Sequence, residues 1–568
     1  MKGSDQAMPS DSEIAQSVTP RPIVEIAADL GLAESEIEQY GPYKAKVRLD
    51  AEDRLADRPN GKYIVVTAIT PTPPGEGKTT TTVGLGQAFA HIGRRSIVAT
   101  RQPSLGPVFG AKGGAAGGGH AQIIPMEDLN LHFTGDAHAV TAAHNLCAAF
   151  LDNSMHHGNP LDIDVNNITW RRVLDVNDRS LRDMITGLGT GNGVPRETGF
   201  DITAASEVMA VLALATSYTD LRERLGRLVV AYSSDRKAIT AEDIGAAGAM
   251  SALMVDALKP NLVQTLEHTP AIVHAGPFGN IAHGNSSILA DRIGLKLADV
   301  LITEAGFGAD LGAEKFFNIK CRASGLKPDA ATLVVTVRAL KSHSPRLGRN
   351  PSSEDLQQEN VEALREGIPN MVKQIENVRM FGVPVVVAIN RFPSDSPAEL
   401  ELIKQVALES GAFDAVESHV HADGGAGGAE VARALERAME EVPSEFKPLY
   451  ELEQPIKAKI ERIAQEVYGA DAVNYSPAAS RQIRRFSEMG YEHLPVCMAK
   501  THLSISANPS LKGRPTGFEV TVREVRLSAG AGFIYPLLGD IRTMPGLGAI
   551  PAGTEIEIDE NGRISGLF

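Results

Sequence analysis

Six short runs restrict this chain more than anything else in it: YIVVTAI (63–69), SIVAT (96–100), RLVVAY (227–232), ADVLIT (298–303), ATLVVTV (331–337) and VPVVVAIN (383–390). Each is rich in β-branched residues and apolar along its length, and helical patterns separate them. A strand with no polar side must be buried on both faces. Strands of that kind alternating with helices predict an α/β fold, a mostly parallel sheet with helices on both faces. An amphipathic helix is expected ahead of the sheet, since Ile23, Ile26, Ala27 and Leu30 fall on one stripe and Gly31 can end it.

Between residues 102 and 200 the pattern loosens and Gly, His and Asn accumulate, which suggests an insertion carrying loops. Residues 443–493 read as helical, with Ile456, Ile460, Ile463 and Val467 on one stripe. Strand-like pieces such as GFEVTVREVRLSAG follow. The expected division is a flexible head over 1–9 and a nucleotide-binding α/β domain over 10–110 and 265–375. An inserted α/β domain would occupy 111–264, and a C-terminal domain 376–568.

The net charge of −15 over 568 residues excludes nucleic acid as the main partner, because phosphate backbones require a basic surface. Cys147, Cys321 and Cys497 lie too far apart for a metal motif and are expected to be reduced thiols. The first residues, MKGSDQAMPSDSEIAQ, lack the apolar core of a signal peptide, and no run is long enough to span a membrane. A cytoplasmic protein without a membrane partner is the expectation.

The run at 63–69 leads into Pro71-Thr72-Pro73-Pro74-Gly75-Glu76-Gly77-Lys78-Thr79-Thr80 and then a helical pattern. This resembles the phosphate loop G-x-x-x-x-G-K-[ST], with Thr72 in place of the first glycine. Gly75 and Gly77 would turn backbone N–H groups into the loop, and the helix start adds partial positive charge. Lys78 would reach the β- and γ-phosphates of ATP, and Thr79 would ligate Mg²⁺. The competing reading is a glycine-rich turn before a helix.

Arg101 follows the strand at 96–100, where ligands gather in parallel sheets, and could clamp a carboxylate or phosphate or form a surface ion pair. Residues 110–122 hold six glycines, either for close approach of a ligand or for mobility. His132, Asp136, His138 and His144 match no zinc spacing, so hydrogen-bonded or helix-face histidines are the simpler reading. TEAGFGADLGAEKF (303–316), directly after a strand, suggests a second backbone nest with acidic side chains.

TPTPPGEGKTTTTVGLGQA, RQPSLGPVFGAKGGAAGGG, LNLHFTGDAHAV, TGFDITAASEVMAVLALA, TEAGFGADLGAEKFFNIKCR and NPSLKGRPTGF together resemble the formate–tetrahydrofolate ligases, from about Ser10 to the C-terminus. The resemblance implies ATP-dependent ligation of formate to tetrahydrofolate through formyl phosphate, a homotetramer, and activation by a monovalent cation. It also implies a P-loop-type α/β domain with two smaller domains. Carried onto this sequence, the loop holds the ATP phosphates and Arg101 holds formyl phosphate. Asp136 would polarise or deprotonate the attacking amine, with His132 and His283 as further candidates. Asn508 and Ser510 would line the adenine side. Phe392 would stack on the pterin, with Pro393 and His421 beside it.

The chain also departs from that pattern. Gln102 stands where the family has a Glu tied to the monovalent cation, so weak activation by potassium or ammonium is expected. HADGGAGG (421–428) stands where WAKGGEGG is usual: His421, Asp423 and Ala426 replace Trp, Lys and Glu. That predicts less stacking on the pterin and repulsion of an anionic polyglutamate tail. His120, Asn285, Ser286, Ser344 and Pro345 depart as well. Two alternatives follow from an intact phosphate loop beside a changed folate end: an acyl-phosphate ligase with another amine acceptor, or a non-catalytic nucleotide-binding relative.

Overall fold

A strand apolar on both sides needs a cover on both, and the central sheet has one on each face. The computed structural model describes residues 9–73, 75–112, 116–348, 350–539 and 541–567. The head therefore lies outside the described residues except for Pro9, as does Pro74 of the loop.

The main sheet contains β1 (Ile37–Gln39), β2 (Ala45–Val47), β3 (Lys62–Ala68), β4 (Ser96–Thr100), β5 (Gly117–Gly118) and β6 (Ala121–Ile124). It continues with β7 (Asn261–Thr265), β8 (Pro270–Val273), β9 (Val300–Gly308), β10 (Ala330–Val335), β11 (Val385–Asn390) and β12 (Asp414–Ser418). The order is β1-β2-β7-β8-β4-β9-β3-β10-β11-β12, with β6 on β7 and β5 on β6. From β8 to β12 every neighbour is parallel. β7, β2 and β1 extend that block antiparallel. The loop-bearing strand β3 is thus interior, between β9 and β10.

Alternation along β3 feeds two cores. Tyr63 and Val65 join Leu301, Leu333 and Val387 on one face, against Ile293 of α4 (Ile288–Leu297) and Ile368 and Met371 of α6 (Val361–Arg379). Ile64, Val66 and Ala68 join Val334 and Val386 on the other, against Leu85 and Phe89 of α1 (Lys78–His91) and Leu435 of α7 (Val420–Glu441). Each such buried side chain contributes about 1.5–3 kcal/mol. α1 lies between the sheet and α7 and is buried nearly all round. Gly84 permits this, because a Cβ there would stand 2.4 Å from Val420 Cβ.

Five of the six apolar runs form parallel strands of this sheet. The run at 227–232 does not: it forms Val229–Ser233, in a separate three-stranded antiparallel sheet with Ile163–Ile168 and Ala238–Thr240. Apolar character reports burial and leaves the partner open. Here a four-residue connection to Ala238–Thr240 permits only a hairpin. The run at 331–337 stops at Val335, because the Thr336 hydroxyl accepts from Ala339 N at 3.0 Å and caps α5 (Val337–Ser342). Residues 443–493 are helical only in part, with a strand at Ala472–Tyr475 between Ile456–Val467 and Pro477–Glu488.

Residues 136–258 carry a second core around α2 (Asp136–His156) and α3 (Tyr218–Gly226), with Trp170, Val211 and Leu225 inside. All three cysteines are free and buried, and burial pushes the Cys147 thiol up to about 12. Among the described residues no helix is long and apolar enough to cross a membrane.

Candidate functional site

β3 ends at Ala68, and the chain crosses the sheet edge through residues 69–77 into α1. The turn closes without a leading glycine because Thr72 is bonded across it. Its N–H and its hydroxyl donate to Glu76 Oε1 at 2.6 and 2.9 Å. Burial pushes the Glu76 carboxyl up to about 6, against those two bonds. Gly75 and Gly77 take φ of 77° and 73°, the left-handed region that favours glycine. Gly77 is also close-packed, since a Cβ would lie 2.6 Å from Asn390 Nδ2. Asn390, the last residue of β11, donates from Nδ2 to the carbonyls of Glu76 (2.8 Å) and Gly77 (3.3 Å). Its Oδ1 accepts from the Thr81 hydroxyl at 3.0 Å. A neighbouring strand thus holds the loop open. Pro71 is half-buried beside it and Pro73 exposed.

At the mouth of the loop stands one carboxylate among cationic and hydroxyl groups. Glu304, on β9 beside β3, is 4% exposed. Its Oε2 accepts from the Thr79 hydroxyl at 2.9 Å and lies 3.8 Å from Lys78 Nζ. Its Oε1 lies 3.8 Å from Arg101 Nε, which is itself buried without a hydrogen-bond partner. Arg101 leaves the end of β4 and donates from Nη1 to Pro277 O at 3.4 Å. Two cations from two strand ends therefore converge beside the start of α1, and an anion placed there would meet both together with the helix dipole. A hydroxyl and a carboxylate are also the donor set that Mg²⁺ takes.

The segment holding Asn508 and Ser510 is fastened to the same loop. Asn370 Nδ2 donates to Gly513 O (2.8 Å) and to the Thr70 hydroxyl (2.9 Å), and its Oδ1 accepts from Thr70 N. His343 accepts from Gly513 N and meets Thr70 O at 3.0 Å through Nε2. Asn508 and Ser510 are exposed at the tip of that segment, where Ser510 N donates to Asn508 Oδ1 at 3.0 Å.

The folate-side candidates leave adjacent strand ends, because Asn390 and Ser418 are partners in register. Phe392 is half-buried with the Arg338 guanidinium carbon 3.5 Å over its ring. Pro393 beside it is exposed. His421 is exposed in the first turn of α7, and its carbonyl accepts from His120 N at 2.9 Å. A Cβ on Gly118 would lie 3.4 Å from Thr80 Oγ1 and 3.7 Å from the His421 ring, which brings His421 beside the start of α1. Asp423 and Ala426 are exposed on the same helix. Gln102 is buried next to Arg101, with its N–H on Ala275 O at 2.7 Å.

Three sequence candidates lie differently. Asp136 has both oxygens engaged: Oδ1 accepts from Lys46 Nζ and Oδ2 from Asn261 Nδ2, each at 2.7 Å, and the residue is buried. Asn261 and Val273 are partners, as are Val273 and Thr100, so this pair lies about two strand spacings, ~10 Å, from the Arg101 strand end. His132 is exposed in the turn before α2. His283 is fully buried with neither ring nitrogen partnered, and burial, aided by Lys320 and Arg101, drives its pKa well below the usual histidine value. His144 follows the simpler reading, bonded to the Ser206 hydroxyl and Arg171 O and stacked on Trp170.

The site is thus a glycine-rich turn at the end of one strand, flanked by strand ends that supply an arginine and an aromatic ring. The family model for formate–tetrahydrofolate ligase matches residues 9–568. The chain belongs to the formate–tetrahydrofolate ligase family. It is 60% identical over 565 residues to the formate–tetrahydrofolate ligase of Roseiflexus castenholzii, covering 99% of this chain and all of the relative. It is 58% identical over 564 residues to that of Saccharopolyspora erythraea, with the same coverage. Formate–tetrahydrofolate ligase 1 of Rubrobacter xylanophilus is also 58% identical, over 572 residues.

Sequence reading singled out the loop and Arg101, took 303–316 as a nest with acidic side chains without naming Glu304, and passed over the parts played by Asn390 and Arg338. Two of these had a visible signal. Asn390 is a lone polar residue at the end of an otherwise apolar strand, the edge at which parallel sheets bind ligands, and Glu304 is the one charged residue within β9.

Proposed function

We propose that this protein joins formate to tetrahydrofolate at the expense of ATP, giving 10-formyltetrahydrofolate, ADP and phosphate. The observation that carries this reading is the convergence of Lys78, Thr79 and Arg101 on Glu304 at one sheet edge. A formate oxygen attacks the γ-phosphorus and ADP departs. Formate gains a leaving group, since direct attack on the free ion would have to expel oxide. N10 of tetrahydrofolate then attacks the formyl carbon, the C–O bond to phosphate breaks, and the N10 proton is lost. Lys78 and Arg101 would balance the negative charge in both steps. Mg²⁺ would be held by Thr79 with Glu304 behind it, and supplies further charge neutralisation at the phosphates.

Phe392 would carry one face of the pterin, and Asn508 and Ser510 would face the adenine. His283, fully buried and with a pKa held well below the usual histidine value by burial, Lys320 and Arg101, is not suited to accept the amine proton and is left out of the proton path. Asp136, paired at both oxygens, is assigned to anchoring α2 on the sheet, with His132 at the rim. A homotetramer in the cytoplasm completes the reading by resemblance to the family.

The test is formation of acid-developed 5,10-methenyltetrahydrofolate by purified protein. Signal that requires ATP, Mg²⁺, formate and tetrahydrofolate together, and disappears in Lys78→Ala, supports the reading. Formate-dependent ATP turnover without that product would point to another amine acceptor, consistent with the exposed His421 and Asp423. No turnover at all would leave only a nucleotide-binding relative.

A further inference from the structure

Three parts of the chain line a half-open cavity of about 360 Å³, and Lys78, Arg101 and Glu304 are not among its walls. α3 and its C-terminal cap contribute Arg224 and Arg227, and the helical stretch after β9 contributes Ile319 and Arg322. Leu214 closes one wall, and Leu494 with the 529–532 turn closes the other. Among the described residues no carboxylate lines it. The volume is within the range of small-molecule sites, and the walls are mainly apolar.

The three arginines are not equivalent. Arg224 is neutralised, with Nε on Asp220 Oδ2 at 2.9 Å and Nη1 on Ala531 O at 3.0 Å. Among the described residues, Arg227 and Arg322 have no acid at ion-pair distance. Arg322 donates from Nε to Asn318 O at 3.1 Å and from Nη2 to Tyr450 O, both uncharged carbonyls. Burial lowers its pKa, while Tyr450, Glu451 and Glu453 oppose this only through space. A guanidinium stays charged at any working pH, so removing water from the half-buried Arg322 without supplying an anion is costly. A bound anion would repay that cost with charge-assisted bonds.

We propose that this cavity binds a small organic anion. Its charged group sits between Arg227 and Arg322, and its apolar body lies on Leu214, Ile319 and Leu494. A carboxylate, phosphate or sulfonate on an aromatic or aliphatic body would satisfy both requirements. A free inorganic anion would leave the apolar walls wet.

The test uses 8-anilino-1-naphthalenesulfonate, which fluoresces on leaving water, titrated into the full chain. The uncharged N-phenyl-1-naphthylamine serves as its comparison. The expected result is saturable binding of the sulfonate, at least tenfold tighter than the neutral compound. Saturating ADP with Mg²⁺ should leave it unchanged, and Arg227→Glu and Arg322→Gln should each weaken it at least tenfold. Arg227 is exposed and its replacement does not threaten the fold, so it decides the matter if Arg322→Gln gives no soluble protein. Equal binding of the neutral compound, displacement by ADP, or unchanged affinity in Arg227→Glu would overturn the assignment.

Discussion

Replacing Glu304 by Gln separates two demands that the site makes on one side chain. The amide keeps the size and an oxygen for the Thr79 hydroxyl, which stands 2.9 Å away, but removes the charge lying 3.8 Å from Lys78 Nζ and from Arg101 Nε. At an effective dielectric of about 20, each of those pairs is worth roughly 4 kcal/mol of Coulomb attraction. Much of it is offset by the cost of holding a buried carboxylate away from water. If about 1.5–3 kcal/mol of what remains is transferred to a bound anion, its affinity rises roughly 10- to 100-fold. Titration calorimetry with ADP in the absence of Mg²⁺ should show that gain. With Mg²⁺ present the gain should vanish, because the cation has lost a carboxylate, and turnover should fall about 100-fold or more. The two measurements move in opposite directions. Weaker or unchanged Mg²⁺-free ADP binding in Glu304→Gln would refute the reasoning, because it would mean that the carboxylate does not compete with phosphate for Lys78 and Arg101.

Four further outcomes are expected. Glu76 has a carboxyl raised above the ordinary 4.5 to about 6, so its contribution is full below the ordinary value and is lost as pH rises through about 6. Glu76→Gln, melted beside the parent from pH 5 to 8, should gain about 1 kcal/mol relative to it over that range. Gly77→Ala places a Cβ 2.6 Å from Asn390 Nδ2 at a φ of 73°, and ATP affinity measured by calorimetry should drop at least tenfold. Gln102→Glu should make formation of the methenyl product depend more steeply on potassium, and an unchanged salt response would remove Gln102 from the cation question. Asp423→Lys should favour the triglutamate over the monoglutamate of tetrahydrofolate, read as a fall in the ratio of their KM values.

The sequence revealed those parts of the fold in which burial leaves no polar residue. β4 spans the same residues in the run and in the strand, and β3, β9, β10 and β11 differ only at their ends. β7 escaped notice because Asn261, Gln264 and Thr265 are polar yet fully buried, bonded to neighbours that only the folded chain supplies. The glycine turn into α1 was legible from Gly75, Gly77, Lys78 and Thr79, since the backbone conformation it requires is local there. Glu304 and Asn390 act on the loop from positions 225 and 309 residues beyond Thr79 and Thr81, and no local pattern joins them to it. Asp136 stands in an equally suggestive motif, but Lys46, which occupies its carboxylate, comes from an unremarked strand 90 residues earlier.

Asn390 gives the two ends of the active site a common fastening. Its amide grips the nucleotide loop from beneath, and two residues later the same chain presents Phe392. Any shift of the loop would act on the end of β11 through these bonds, and β11 leads directly to Phe392. Whatever factor ATP applies to folate affinity, folate must apply to ATP affinity. If the two sites are coupled, Asn390 is the direct connection between them, and Asn390→Ala should make ATP and folate affinities independent of one another.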